Sequence, residues 1–169
     1  MFAAIWQDIS AECSNYQSPM SDNNDLRYRR SRFSTRLPLD RVYSPAHFWL
    51  REIGPRTYEV GYTRFATRML GDFVEMAFEV TPGMKITRGQ TIGWIEGFKA
   101  ASDLISAADG TFLGTNPTLE ADITTIESDT YGSGWLYSIE CDLPPDALSA
   151  EDYAGLLDGT IDAYMAGQG

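Results

Sequence analysis

The chain has 169 residues, 43% of them apolar, and a net charge of −11, which suits one domain with a sizeable core plus a tail. No stretch approaches the roughly 20 consecutive apolar residues that a membrane span needs. So acidic a surface repels nucleic acid and anionic membrane, and neither is expected as a partner.

Residues 1–13 place Phe2, Ile5, Trp6 and Ile9 at helical spacing and predict a short amphipathic helix. The apolar start ends at Gln7 and Asp8 without a basic leader, so a secretory signal is not expected. Residues 14–36 are polar, rich in Ser, Asn and Arg, and read as a linker or extended arm. Arg and Ser would suit a mitochondrial transit segment, but Asp8, Glu12, Asp22 and Asp25 count against it. The expected organisation is an N-terminal arm over residues 1–41 and a folded domain over residues 42–169. The expected compartment is cytoplasmic, or the mitochondrial matrix in a eukaryote.

From Val42 the pattern changes to short strands divided by Gly and Pro. HFWLREI and RTYEVGY flank Gly54-Pro55 and predict a hairpin. TRFATRMLG predicts one short helix, opened by Thr63 and stopped by Gly71. DFVEMAFEV reads as a strand, although strict alternation puts Phe73 and Glu75 on one face. TPGMKITRGQ is a turn-rich connection carrying Lys85, TIGWIEG a strand, and DLISAADGTFLGT a second pair hinged at Asp109-Gly110. GWLYSIEC is a late strand. The last element is a helix capped by Ser149, with Tyr153, Leu156, Leu157, Ile161, Tyr164 and Met165 forming one apolar stripe. Many short strands with small helices predict a mainly β barrel or sandwich.

Charge is distributed unevenly. Residues 1–41 hold six Arg against five acids, whereas residues 42–169 hold seven basic residues against nineteen acids. After Lys99 there are thirteen acids and no Lys or Arg, which reads either as a solubilising surface or as a docking face for basic partner enzymes. The two cysteines, Cys13 and Cys141, are far apart and read as reduced thiols. With His47 as the only histidine, neither a zinc site nor a catalytic triad is expected.

Only two of the thirteen basic residues are lysines, Lys85 and Lys99. Arginine has no nucleophilic amine at accessible pH, so an amide-linked cofactor has just these two side-chain candidates. Lys99 lies in WIEGFKAASDL, between a strand entering at Thr91–Ile95 and one leaving near Asp103–Ser106. The small residues around it predict a hairpin with the lysine at its exposed tip, where a modifying enzyme reaches the amine. Glu96 and Asp103 bracket that tip. An ordinary surface lysine in a turn is the plain alternative.

Several stretches match the glycine-cleavage H protein family in order. VYSPAHFWL resembles the family's His-x-Trp opening, and YEVGYTRFATRMLGDFVEM its Val-Gly-Ile-Thr and Leu-Gly-Asp run. IEGFKAASDL resembles Glu-Ser-x-Lys-Ala-x-Ser-Asp, the lipoyl attachment hairpin, and DTYGSGWL resembles Asp-Pro-Tyr-Gly-x-Gly-Trp-Leu. ALSAEDYAGLL is similar to the C-terminal helix. The resemblance covers about Val42 to Met165. It implies a lipoyl-type barrel-sandwich hybrid with short helices, a lipoate covalently attached to Lys99, and a carrier rather than an enzyme. A biotin carrier would place Met beside its lysine, and none flanks Lys99. The implied partners are a lipoate-protein ligase or lipoyl transferase and the glycine-cleavage enzymes: a pyridoxal-phosphate decarboxylase, a folate-dependent transferase and a flavin dehydrogenase. H-like proteins also serve heterodisulfide-reductase-like sulfur oxidation, which is the alternative pathway. An unmodified binding module that kept the barrel is a second alternative, and a hydrolase or transferase lacks a catalytic constellation.

The departures from the family pattern are local. The usual Ser and small residue before the lysine are Gly97 and Phe98. Phe98 either projects from the tip, towards the arm or a partner, or turns inward to cap the barrel. The acid expected after His47 is Phe48, and the Pro of Asp-Pro-Tyr is Thr130. His47 reads as a packing residue near Trp49 or as a polar group by the arm cleft. Gly132 and Gly134 read as residues that permit a turn and close backbone approach.

Overall fold

The structure, a computed structural model, describes residues 24–167. The helix expected over residues 1–13 lies outside that range. Among the described residues, eleven strands form three antiparallel sheets. A two-stranded sheet pairs β1 (Asp25–Arg30) with β2 (Phe33–Pro38). A six-stranded sheet has the order β3-β4-β5-β11-β10-β7, made from β3 (Val42–Tyr43), β4 (Phe48–Gly54), β5 (Thr57–Tyr62), β11 (Tyr137–Cys141), β10 (Gly110–Thr115) and β7 (Lys85–Ile86). A three-stranded sheet has the order β6-β8-β9, made from β6 (Phe73–Phe78), β8 (Thr91–Gly97) and β9 (Ala101–Ile105). Among the described residues, four helices punctuate them: α1 (Arg64–Leu70), α2 (Pro117–Ala121), α3 (Thr125–Ser128) and α4 (Ala150–Ala166). The mainly β expectation therefore holds.

The main core lies between the two larger sheets. Ile92, Ile95 and Leu104 meet Val60, Phe112, Tyr137 and Ile139, all nearly or fully buried. Alternation along β4 divides it between two cores. Phe48 and Leu50 face the main one, and Trp49 faces a second formed with Tyr28, Leu37, Tyr43, Tyr153, Leu157 and Ile161. Trp49 is paired in register with Gly61, where a Cβ would collide with its indole ring, so only glycine accommodates it. The indole N–H donates to the Thr130 carbonyl at 3.1 Å.

The hairpin at Gly54-Pro55 and the short helix are as the sequence indicates. Thr63 caps α1 by accepting from the Ala66 N–H, and Gly71 ends it at φ +59°. The conflict at Phe73 and Glu75 is resolved by a bulge. The register steps from Phe73 opposite Gly97 to Glu75 opposite Glu96, so Val74 is the extra residue, Phe73 is buried and Glu75 is exposed.

Three readings change. Asp109-Gly110 does not hinge a hairpin: β9 belongs to the three-stranded sheet and β10 to the six-stranded one. The buried, small Ser106, Ala107 and Ala108 let the chain cross the core between them, where the Ala107 N–H donates to the Tyr137 hydroxyl at 3.0 Å. The stripe on α4 stops early, because Tyr153, Leu157 and Ile161 are buried while Tyr164 and Met165 are about half exposed. The covering surface ends where Arg30 of β1 bonds Asp162. Finally, residues 25–38 are not a featureless linker. They form a hairpin whose Tyr28 and Leu37 enter the second core, with the Tyr28 hydroxyl donating to Asp158 of α4 at 2.8 Å.

That packing gives the hairpin a share in the second core. Burial of a large apolar side chain is worth about 1.5–3 kcal/mol, and two are lost with the hairpin. A chain starting at Arg41 is expected to melt on the order of 10 °C below the full chain by circular dichroism. Coincident melting curves would show that the hairpin adds nothing to the core.

Candidate functional site

The β8–β9 hairpin ends in a two-residue turn. The Gly97 N–H donates to the Ala100 carbonyl at 2.9 Å, leaving Phe98 and Lys99 as the central residues. Both are exposed, and Phe98 is 84% exposed, so of its two sequence readings the structure shows the outward one.

The turn is held from the side by the bend joining α1 to β6. The Phe98 N–H donates to the Asp72 carbonyl at 3.1 Å. Gly97 has no room for a side chain, since a Cβ there would run into the Gly71 carbonyl and lie 3.1 Å from that of Leu70. The Lys99 side chain lies over Gly71, where an added Cβ would come within 2.9 Å of Lys99 Cδ and 3.0 Å of its Nζ. Gly71 also has φ +59° and ψ 148°, a region open almost only to glycine. Asp72, at φ +44°, donates its N–H to Glu127 Oε1 at 2.9 Å. Arg64 in turn donates from Nη1 to the Glu127 carbonyl at 2.7 Å. Lys99, Gly71, Asp72, Arg64, Arg68 and Glu127 line a pocket of about 400 Å³.

Of the residues singled out by sequence, Glu96, Gly97, Phe98, Lys99 and Asp103 share this hairpin. Glu96 is exposed opposite Ala101 and Glu75, and Asp103 is exposed opposite Trp94, so both sit on the outer face of the sheet and neither lines the pocket. His47 does not line this pocket. Its Nδ1 is 2.8 Å from the Tyr153 hydroxyl, which also bonds Thr63, and its ring packs 4.7 Å from that of Phe65. Tyr153 is fixed by α4, so the second core claims the imidazole. Burial there lowers the His47 pKa.

Sequence reading missed Asp72, Glu127 and Arg64 as parts of the site, and it took Gly71 only as a helix stop. Glu127 sits in a short polar helix with no periodic signal. The run from Tyr131 to Trp135 does show the close approach expected of its glycines. A Cβ on Gly132 would lie 2.5 Å from Asp129 Oδ2, and one on Gly134 would lie 2.6 Å from the Thr125 carbonyl. Tyr131 accepts the Arg64 N–H at 3.0 Å, which ties this run to the start of α1. Among the described residues no cluster of His, Cys, Asp and Glu could hold a metal, and no helix is long and apolar enough to cross a membrane.

Two facing sheets, with a tight hairpin that presents one lysine, define a carrier domain of the lipoyl type. The model of the glycine cleavage H-protein family matches residues 41–158. A glycine cleavage system H protein of Beutenbergia cavernae is 36% identical over 123 residues, covering 73% of this chain and 98% of the relative. One from Pseudoalteromonas atlantica is 36% identical over 124 residues, covering 72% and 89%. The crystal structure of the H protein from Mycobacterium marinum superposes with a TM-score of 0.62 at 34% identity, covering 70% of this chain and 97% of that one. The chain belongs to the glycine cleavage H-protein family, whose members carry lipoate on a lysine. These matches favour the glycine-cleavage reading over the sulfur-oxidation one.

Two outcomes follow from the geometry. Gly97→Ser, which would restore the usual H-protein residue, is expected to destabilise the chain by about 1–3 kcal/mol through overpacking against Gly71. Phe98→Val removes an exposed ring and is expected to leave the urea midpoint unchanged, and equal midpoints for the two variants would refute the close approach. His47 supplies a pH dependence. Above about pH 6.5 it is neutral in folded and unfolded chains alike. As pH falls through that value only the unfolded chain binds the proton readily, so stability declines by at most about 1.4 kcal/mol per pH unit. Thermal melts between about pH 7.5 and 5.5 are expected to show this decline, and His47→Asn, which tolerates the φ of +67°, to abolish it.

Proposed function

We propose that Lys99 is the attachment point of the lipoyl group and that the chain is a non-catalytic carrier between the enzymes of glycine cleavage. The observation that carries this reading is the position of Lys99: exposed, central in a two-residue turn, and laid over a glycine that leaves room for its stem. The residues present fit the group, because a Cβ at Gly71 would occupy the space that the lysine and its arm need. When bound, lipoate supplies a dithiolane that takes up and releases a substrate group through sulfur.

The rest is done by the chain's own side chains. Asp72 and Gly97 hold the turn in one geometry, so a ligase meets the amine in a fixed setting. Glu127 holds Asp72 through its main chain. Arg64, Arg68 and Glu127 wall the pocket into which the arm folds. Phe98 offers an apolar contact beside the amine to a ligase or an acceptor enzyme, and Glu96 and Asp103 on the outer face offer carboxylates. The carrier domain is residues 42–169, with the 25–38 hairpin docked on it. A cytoplasmic setting agrees with Cys141, a buried thiol whose pKa is pushed up to about 11 by desolvation.

Lys85 is the one other lysine. Its Nζ donates to Thr111 Oγ1 at 2.7 Å on the edge of the six-stranded sheet, without a presenting turn. Intact mass and peptide mapping after incubation with lipoate, ATP and a lipoate-protein ligase are expected to place one lipoyl adduct on Lys99 and none on Lys85. Lys99→Arg is expected to remain unmodified. A lipoylated Lys99→Arg chain would overturn the assignment, and an unmodified wild-type chain would favour the binding-module alternative.

A further inference from the structure

The pocket beside Lys99 is polar on every wall. Among the described residues it is lined by two arginines, two carboxylates and three hydroxyl residues, together with Gly71 and Lys99 itself, and by no aliphatic or aromatic residue. Glu127 Oε1 accepts from the Asp72 N–H there, and Arg64 Nη1 donates to the Glu127 carbonyl. Burying an acyl chain and a dithiolane ring against such groups takes water from charges and returns no apolar contact. A loaded arm that ends in a polar group finds partners in this pocket. The methylene chain and the empty dithiolane do not.

Apolar surface is placed outside the pocket, at the turn. Phe98 is the most exposed of the large apolar side chains described, at 84%, and Val74 is 52% exposed. Neither lines the pocket. Val74 is the extra residue of the β6 bulge, between the residues opposite Gly97 and Glu96, so it stands beside the strand end from which the turn springs. The turn itself is fixed through main chain, by the Gly97 N–H on the Ala100 carbonyl and the Phe98 N–H on the Asp72 carbonyl. Nothing in the fold therefore requires a ring at position 98, and a ring left in water forgoes the gain of burial. The arm springs from the very next residue, whose Cα is about 3.8 Å away.

We infer that the empty lipoyl arm rests on Phe98, with Val74 extending the same apolar surface, and that Phe98 is a positioning residue for the cofactor. The inference rests on the carrier reading of Lys99. The arm is the occupant because it is tethered. A group joined to the neighbouring residue is present at an effective concentration on the order of millimolar, whereas a partner enzyme must first be recruited. The chemistry matches as well. Sulfur packs favourably at about 5 Å from an aromatic ring, often at its edge, and methylenes gain by leaving water. A contact of this kind is weak, so the arm gives it up when a partner's site or a polar substrate group draws it away. Between visits the dithiolane is kept at the turn and is screened on one side from thiols in solution.

The full chain is isotope-labelled, lipoylated with unlabelled lipoate and a ligase, and checked by mass. Isotope-filtered nuclear Overhauser contacts are expected from the lipoyl methylene and dithiolane protons to the Phe98 ring, with weaker ones to the Val74 methyls. The second readout is the rate at which excess dithiothreitol reduces the dithiolane. Phe98→Ser is expected to raise that rate roughly two- to tenfold, the range that a sulfur–ring contact supports. Phe98→Tyr, which keeps the ring, is expected to restore the wild-type rate. Leu113→Ser, a partly exposed position on β10, is expected to leave it unchanged. All variants are checked for an unchanged thermal midpoint. Contacts to the Thr67 and Thr124 methyls in place of Phe98 would put the empty arm in the pocket and overturn the inference. Equal reduction rates with no contact to the ring would overturn it too, and a lowered ligation rate of Phe98→Ser in that case would assign the ring to a partner. A chain that takes up no lipoyl group would overturn the carrier reading as well, whereas a lipoylated chain without the contact leaves that reading standing.

Discussion

The contact on which the site depends is made between two stretches of main chain: the bend after α1 and the end of β8. Gly97 lets the β8 backbone come up against the Gly71 carbonyl, and that approach allows the Phe98 N–H to reach Asp72. A side chain at either glycine would force the turn away from the bend. The lysine would then stand on an unsupported two-residue loop, with no neighbouring surface for its arm. Stiffness in the turn and freedom in the arm are complementary here. The turn bonds through its main chain, so both central side chains are left exposed.

Support for that contact comes from further out in a chain of polar interactions. Glu127 holds the Asp72 N–H, Arg64 holds the Glu127 carbonyl, and the Arg64 N–H is held by the Tyr131 hydroxyl. After Tyr131, Gly132 and Gly134 bring the chain close against Asp129 and Thr125. Asn116, buried, donates to the Ser133 and Trp135 carbonyls at 2.7 Å and pins the same run to the six-stranded sheet. The Lys99 turn and the Tyr-Gly-Ser-Gly-Trp run are thus parts of one structure, although about thirty residues separate them along the chain.

The second core serves a different end. Trp49, Tyr153 and Leu157 fasten α4 to the back of β4, and the extra hairpin extends the same surface with Tyr28 and Leu37. That arrangement takes His47 into a packed, uncharged setting. It also turns the arginine-bearing face of the hairpin towards the side of the molecule where Arg64 stands.

Strand and helix boundaries, caps and the tip lysine were legible in the sequence because each follows from a short-range rule: alternation along β4, Thr63 and Gly71 around α1, Ser149 before α4, small residues around Lys99. The facing of Phe73 and Glu75 was not legible, since a bulge is set by the partner strand's register rather than by local pattern. Nor was the crossing at Ser106–Ala108, because Asp109-Gly110 is an equally good hairpin turn until burial of the two alanines takes the chain across the core. The arm read as polar because its arginines alternate with only a few apolar residues, and Tyr28 and Leu37 count as core only once α4 lies over them. By itself, then, the sequence determined the mainly β character, most strands after Val42, the family and the one lysine presented in a turn. The tertiary structure alone decided that Gly71, Asp72, Glu127 and Arg64 stand around that lysine and that His47 does not, because long-range contacts depend on how sheets and helices close on each other and leave no periodic trace in the chain.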